Sequence, residues 1–233
     1  MTRLVVLQSS YIPWKGYFDL INDADLFVFY DDVQFTPRDW RSRNRIKTPH
    51  GTKWLTVPVG SKRSRLICDV KISDDRWQHD HYLALFNLYR KSPYFSDFKW
   101  LLEVIYKEKS WKSLSELNQS ATRLIAKQLG ISVLFHDSRE FCSQGSKLEK
   151  LIDLIKKAGA DTYISGPSAK AYINEEHFNR EGIKLIWKTY DGYPEYPQRY
   201  PPFEHAVTVL DLLFNVGPEA PRYIWGWREQ SSF

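Results

Sequence analysis

Arg3-Leu4-Val5-Val6-Leu7-Gln8-Ser9-Ser10-Tyr11-Ile12-Pro13-Trp14-Lys15-Gly16 opens as an apolar run, turns polar at Gln8 and stiffens at Pro13. A helix-like segment from Tyr17 to Ala24 follows, then a second apolar run, Leu26-Phe27-Val28-Phe29-Tyr30, closed by Asp31-Asp32. These periods predict strand, loop, helix, strand. The unit is a βαβ crossover, whose two strands run parallel because the helix carries the chain back to its starting edge. Polar residues collect past the carboxyl end of each strand: Gln8, Ser9 and Ser10 after the first, and Asp31, Asp32, Gln34 and the string Arg38 to Arg45 after the second. Open α/β sheets bind their ligands at that edge, so the site is expected there.

Outward from this unit, Lys53 to Val59 alternates and is β-branched, which predicts a strand returning through a turn at His50-Gly51 from Arg45-Ile46-Lys47. Gly60 to Arg65 is a basic loop, either a phosphate-binding lid or, more simply, a solvated turn. Leu66 to Ile72 resembles another short strand. Residues 75 to 129 carry apolar side chains at spacings of three and four, in three helical stretches interrupted at Ser92-Pro93 and closed at Gly130. The α/β rhythm then returns. Strands are expected at Ile131 to Phe135, Ala160 to Ile164 and Ile183 to Trp187, and helices at Lys147 to Ala158, Tyr172 to Arg180 and Val207 to Asn215. A loop rich in proline and tyrosine spans Tyr190 to Pro202. The expected fold class is α/β: a mostly parallel sheet flanked by helices, Rossmann-like and three-layered. It forms a single domain over residues 1–233, with a helical insertion at about 75–129.

The 233 residues carry 33 Lys+Arg against 28 Asp+Glu, a net charge of +5. That excess suits an anionic small molecule, but no basic block gives the footprint of a specific nucleic-acid binder. Nine tryptophans within a 15% aromatic content supply stacking surfaces for sugars or bases, and equally supply cores and interfaces. Cys68 and Cys142 stand far apart, which excludes a disulfide framework and a zinc site and leaves buried, inert thiols as the expectation. The chain shows no signal-peptide pattern and no run of about 20 apolar residues. A soluble cytoplasmic protein without membrane insertion is expected.

Several groups can carry chemistry. Four arginines within eight residues, Arg38, Arg41, Arg43 and Arg45, exceed what two carboxylates need, and their planar forks match carboxylate and phosphate. Arg41, Arg43 and Arg45, with Asn44, are therefore expected to hold the anionic part of a substrate. Trp14 and Trp40 would stack on its sugar or base, with Gln8, Tyr11 and Gln34 beside them. Asp31 or Asp32 would deprotonate an attacking amine or bind a divalent metal; the alternative is an ion-pair brace for the arginines. His136 beside Asp137, and His205 beside Glu204, are acid–base candidates. Ser165-Gly166-Pro167-Ser168-Ala169-Lys170 joins a strand to a helix. Its backbone N–H groups, with Ser165, Gly166 and Lys170, would cradle an anion, and Ser168 would cap the helix. It lacks P-loop spacing. No cofactor is indicated by these residues.

Gln8 to Phe18, Asp31-Asp32-Val33-Gln34-Phe35, Trp40 to Arg45, Tyr163-Ile164-Ser165-Gly166, Tyr193 to Gln198 and Asp211 to Gly217 together resemble the motifs of the WbqC-like family, over nearly the whole chain. Where that family usually has proline after the first glutamine, this chain has Ser9, which loosens the turn. The resemblance implies a role in bacterial O-antigen and other surface-glycan biosynthesis. It also implies a transferase that acylates or aminoacylates, with glycine among the groups transferred, an amino sugar carried on a nucleotide or lipid. A non-catalytic glycan- or nucleotide-binding accessory protein is the alternative. The first unit is also similar to that of nucleotidylyltransferase-like enzymes such as pantothenate synthetase. Their His-x-Gly-His signature is replaced here by Trp14-Lys15-Gly16-Tyr17, which argues against activation by ATP in their manner.

Overall fold

Leu4 to Leu7 form the central strand of the molecule because both sides of this apolar run are covered. The computed structural model describes residues 1–74, 76–171 and 173–229. Strand β1 (Arg3–Leu7) leads into helix α1 (Lys15–Asn22) and strand β2 (Leu26–Phe29); later come β5 (Leu134–Asp137), β6 (Thr162–Ser165) and β7 (Lys184–Trp187). These five strands make one sheet in the order β5-β2-β1-β6-β7, and every neighbouring pair is parallel. Counting only the sheet's strands in chain order, this is 3-2-1-4-5, the order of a doubly wound sheet whose direction of growth reverses beside its first strand. The expected three-layer α/β architecture is present.

Period-two alternation assigns the two faces. On one face Val5, Phe27, Phe29 and Ile164 pack with Phe18, Leu20 and Ile21 of α1. On the other, Leu4, Val6, Val28 and Tyr163 pack with Leu151, Leu154 and Ile155 of helix α5 (Lys147–Lys157) and Phe178 of helix α6 (Glu175–Arg180). Helices α2 (Arg76–Tyr89), α3 (Phe95–Tyr106) and α4 (Leu114–Gln128) fill the stretch expected to be helical. Their Leu85, Leu101, Leu117 and Ile125 are fully buried and continuous with the first face. Helix α7 (Val209–Val216), capped by the Thr208 side chain on Leu210 N, is buried along its whole length; a short helix α8 (Gly226–Glu229) follows.

Outside the sheet, β3 (Arg43–Thr48) and β4 (Gly51–Thr56) form an antiparallel hairpin, Arg45 opposite Trp54. The hairpin matches expectation, though β4 stops short of Pro58, which has no N–H to donate. The expected strand from Leu66 to Ile72 is absent. Ile67 N and Cys68 N donate to the carbonyls of Val33 and Asp31 (3.0 and 2.9 Å), which ties the segment across a loop, and Ile67–Asp69 forms a 3-10 turn. Strand β5 begins later than expected because Ile131 N still donates to Ala126 O at the end of α4. The helix expected from Tyr172 begins at Glu175, where the Asn174 side chain caps Glu176 N; Tyr172 itself lies outside the described residues.

Candidate functional site

The strand register creates the main opening in the sheet. Pairing of β1 with β2 runs to Leu7↔Phe29, and pairing of β6 with β7 runs to Ser165↔Trp187. Between β1 and β6 it ends at Leu4↔Tyr163. The two strands separate toward their carboxyl ends, at the point where the strand order reverses. A cavity of about 470 Å³ lies in that split, within the range of small-molecule sites. Val6, Leu7, Leu20, Tyr163 and Ile164 form its apolar walls; Ser10, Pro13 and Trp14 come from the loop after β1, and Ser165 to Ala169 from the loop after β6. Tyr17, Trp40, Arg41, Asn44, Tyr190 and Ala206 complete it. The loops after β1 and β6 thus open onto one crevice, as parallel strands require.

The turn after β1 is held under load. Ile12 sits at φ +35°, a conformation that costs a β-branched residue on the order of 1–3 kcal/mol. Asn44 of the hairpin holds it by donating from Nδ2 to Ile12 O (2.8 Å) and Tyr11 O (3.2 Å), while Tyr11 N donates to Trp40 O (2.9 Å). Val209 N donates to Pro13 O and Thr208 N to Arg45 O. The start of α7 therefore laces turn and hairpin together and brings Ala206 to the cavity. Trp14 meets Tyr190 and Tyr193 edge-on (centroids 5.2 and 6.0 Å). These rings make the aromatic wall.

The arginine string divides. Arg41 lines the cavity; its Nη1 donates to Gln8 Oε1, and its Nε is buried without a partner among the described residues. Arg43 and Arg45 lie outside that lining. Two residues apart on one strand, they share a face of the hairpin: Arg43 stacks on Trp54 (4.1 Å), and Arg45 lies 5.8 Å from the same ring and 3.9 Å from Glu204. Trp40 lines the cavity while packing on Trp54 (5.3 Å). Exposed Gln34 bridges Leu66 away from the cavity.

Three groups expected to do acid–base chemistry stand elsewhere. Asp31 is fully buried and accepts from Ser9 N (2.9 Å), Ser115 Oγ and Gln119 Nε2 (3.2 Å). It ties β2 to α4 and forms no brace with the arginines. Asp32 pairs with Lys150 (2.6 Å) and accepts from Ser138 Oγ. His136, on edge strand β5, pairs with Glu140 through Nδ1 (2.7 Å). None of the three lines the cavity. Helix placement supplies the partners of each carboxylate: Ser115 and Gln119 of α4 for Asp31, and Lys150 of α5 for Asp32. Among the described residues no cluster of three or more His, Cys, Asp or Glu can hold a metal ion.

Two further expectations shift. Tyr11 is fully buried behind the cavity, with its hydroxyl paired to His81 Nδ1 (2.7 Å) and Tyr106 Oη (2.6 Å); burial holds His81 down at about 4. The Ser165–Lys170 loop continues as a 3-10 turn, Pro167–Ala171, instead of opening a long helix, so no full helix dipole stands over the site. Lys170 leaves the cavity and lies 5.5 Å from the Trp187 ring.

Sequence reasoning missed Tyr17, Lys15 and Tyr190. Tyr17 donates to Gln8 O (3.1 Å). Lys15 is buried and donates to Pro194 O (3.2 Å), with Tyr193 and Tyr196 at 4.8 and 5.4 Å from Nζ; burial lowers it to about 8, against an opposing pull from Asp19. Burial, with Asp19 and Asp23 nearby, pushes Tyr190 up to about 12, so at neutral pH its hydroxyl is a donor. The density of tyrosine between 190 and 200 was the available signal.

No helix among the described residues is long and apolar enough to cross a membrane. No solved structure matches the chain. A protein of Mycobacterium tuberculosis (strain ATCC 25618 / H37Rv) named uncharacterized protein Rv1507c is 43% identical over 226 residues, covering 96% of this chain and 98% of its own. The sequence model of the WbqC-like protein family matches residues 8–223, which include every residue that lines the cavity except Val6 and Leu7 at the end of β1. The chain belongs to the WbqC-like protein family.

Proposed function

We propose that the protein is a transferase of bacterial surface-glycan biosynthesis that acylates or aminoacylates, with glycine as the simplest group, the amine of a nucleotide- or lipid-linked amino sugar. The observation that carries this reading is the composition of the cavity at the β1/β6 split: one cation, Arg41, among aromatic and apolar walls. Among the described residues Arg41 makes no ion pair with a carboxylate and its Nε is buried without a partner, an arrangement that favours an incoming anion. Trp14, Tyr190 and Trp40 offer ring faces and edges to a sugar or base. The phosphate of an anionic sugar nucleotide is assigned to Arg41 and the sugar to the aromatic wall. The same reading puts the protein in the cytoplasm, where nucleotide-linked sugars are made.

A second reading has one specific observation in its favour. The acid–base candidates Asp31, Asp32 and His136 are engaged outside the cavity, which suits a non-catalytic protein that binds a glycan or nucleotide. Incubation of the full chain with a UDP-linked amino sugar and a glycyl thioester, followed by mass spectrometry, separates the two. Gain of a glycyl group on the sugar supports the transferase. Tight binding of the sugar nucleotide with no acylation across a panel of activated acyl donors removes it in favour of the accessory protein.

A further inference from the structure

Parity along the parallel ladder fixes which backbone groups face the split. Thr162 N donates to Thr2 O at 3.3 Å, so even-numbered residues at this edge of β1, Val6 among them, turn their N–H and C=O toward β6. Ser165 O accepts from Lys188 N at 2.8 Å, so Ser165 faces β7, and Ile164 and Gly166 face β1. With pairing ended at Leu4↔Tyr163, Val6 N–H does not join Ile164 O in the ladder. Among the described residues Gly166 N–H donates to no backbone carbonyl. Val6, Ile164 and Gly166 all line the cavity. Beside them is the Tyr190 hydroxyl, 3.4 Å from the position a Cβ on Gly166 would take.

Backbone polar groups in an apolar crevice need partners. A carboxylate satisfies the donors but meets the carbonyls of Val6 and Ile164 as like charge. A planar amide satisfies both kinds. We propose that the split binds an amide group of the ligand in place of the missing strand pairing: its carbonyl accepts from Gly166 N–H and Tyr190 O–H, and its N–H donates to Val6 O. The inference rests on the acyl-transfer reading in one respect, that the amide held is the bond such a transfer makes. Phosphate is left to Arg41. The high proton affinity of the Tyr190 hydroxyl keeps it a donor over the neutral range.

The test uses the full 15N-labelled chain and N-methylacetamide, a probe with neither sugar nor phosphate, with acetate as the comparison. The Gly166 amide resonance is expected to shift saturably with N-methylacetamide and much less with acetate. Tyr190→Phe keeps the ring against Trp14 and is expected to weaken that response about threefold to tenfold, the loss of one hydrogen bond. In the free protein the Gly166 and Val6 amides are expected to exchange faster than the Leu4 amide. A Gly166 amide that ignores N-methylacetamide, or follows acetate equally, overturns the proposal. So does a Tyr190→Phe chain that responds as the wild type does. A separate titration with a UDP-linked amino sugar reads the Trp14 indole and Arg41, and its failure counts against the sugar-nucleotide reading alone.

Discussion

The six-membered ring of Trp14 occupies the space where a Cβ on Gly16 would stand. Gly16 has ordinary helical backbone within α1, so close approach is what requires glycine here. The ring can fold back over the start of its own helix and form the cavity wall only because that side chain is missing. Gly16→Ala is expected to displace the indole, destabilise the fold by about 1–3 kcal/mol through overpacking, and shift Trp fluorescence. Affinity for a UDP-linked amino sugar should fall with it. Unchanged fluorescence and affinity would show that the wall is not set by this contact.

Arg41 and Arg43 are two residues apart in sequence and differ in setting. Arg41→Ala is expected to cost about 1.5–3 kcal/mol in affinity for an anionic ligand, while Arg43→Ala, which loses its stack on Trp54, costs far less. Calorimetric titration of both variants with the same sugar nucleotide checks this. Equal losses would return Arg43 to the binding site.

Asp31→Asn is expected to lower stability by about 1–3 kcal/mol, because the new amide NH2 faces donors that the carboxylate had accepted from. Urea denaturation measures it. An unaltered midpoint together with lost turnover would restore Asp31 as a catalytic base.

His81 gives a pH signature. Burial lowers its folded value to about 4 from an ordinary 6.5, so between those values the unfolded chain binds a proton that the native chain does not. Stability then rises with pH across this window and falls as pH drops through it. By NMR, one of the six histidines should remain neutral down to about pH 4. Titration of His81 near 6.5 would contradict its burial against Tyr11 and Trp77.

The first βαβ unit, the hairpin and the strands after α4 were legible because their signals are local: period two for strands, spacings of three and four for helices, and Gly or Pro at the ends. Adjacency of the β1 and β6 loops followed as well, since a parallel sheet places all such loops on one edge. What no local pattern contains is register between segments about 160 residues apart. That Leu4 pairs with Tyr163 while Val6 pairs with nothing on β6 is settled by how the helices pack on both faces, and this opens the cavity. The same dependence on packing moved the chemistry. Asp31 reads as a free strand-end acid until α4 sets Ser115 and Gln119 against it. Tyr190 reads as loop until its ring meets Trp14. Sequence determined which strands and loops would meet. Tertiary structure alone decided which polar groups were left without partners there, because a donor or acceptor in a crevice is free only when every nearer group has been taken.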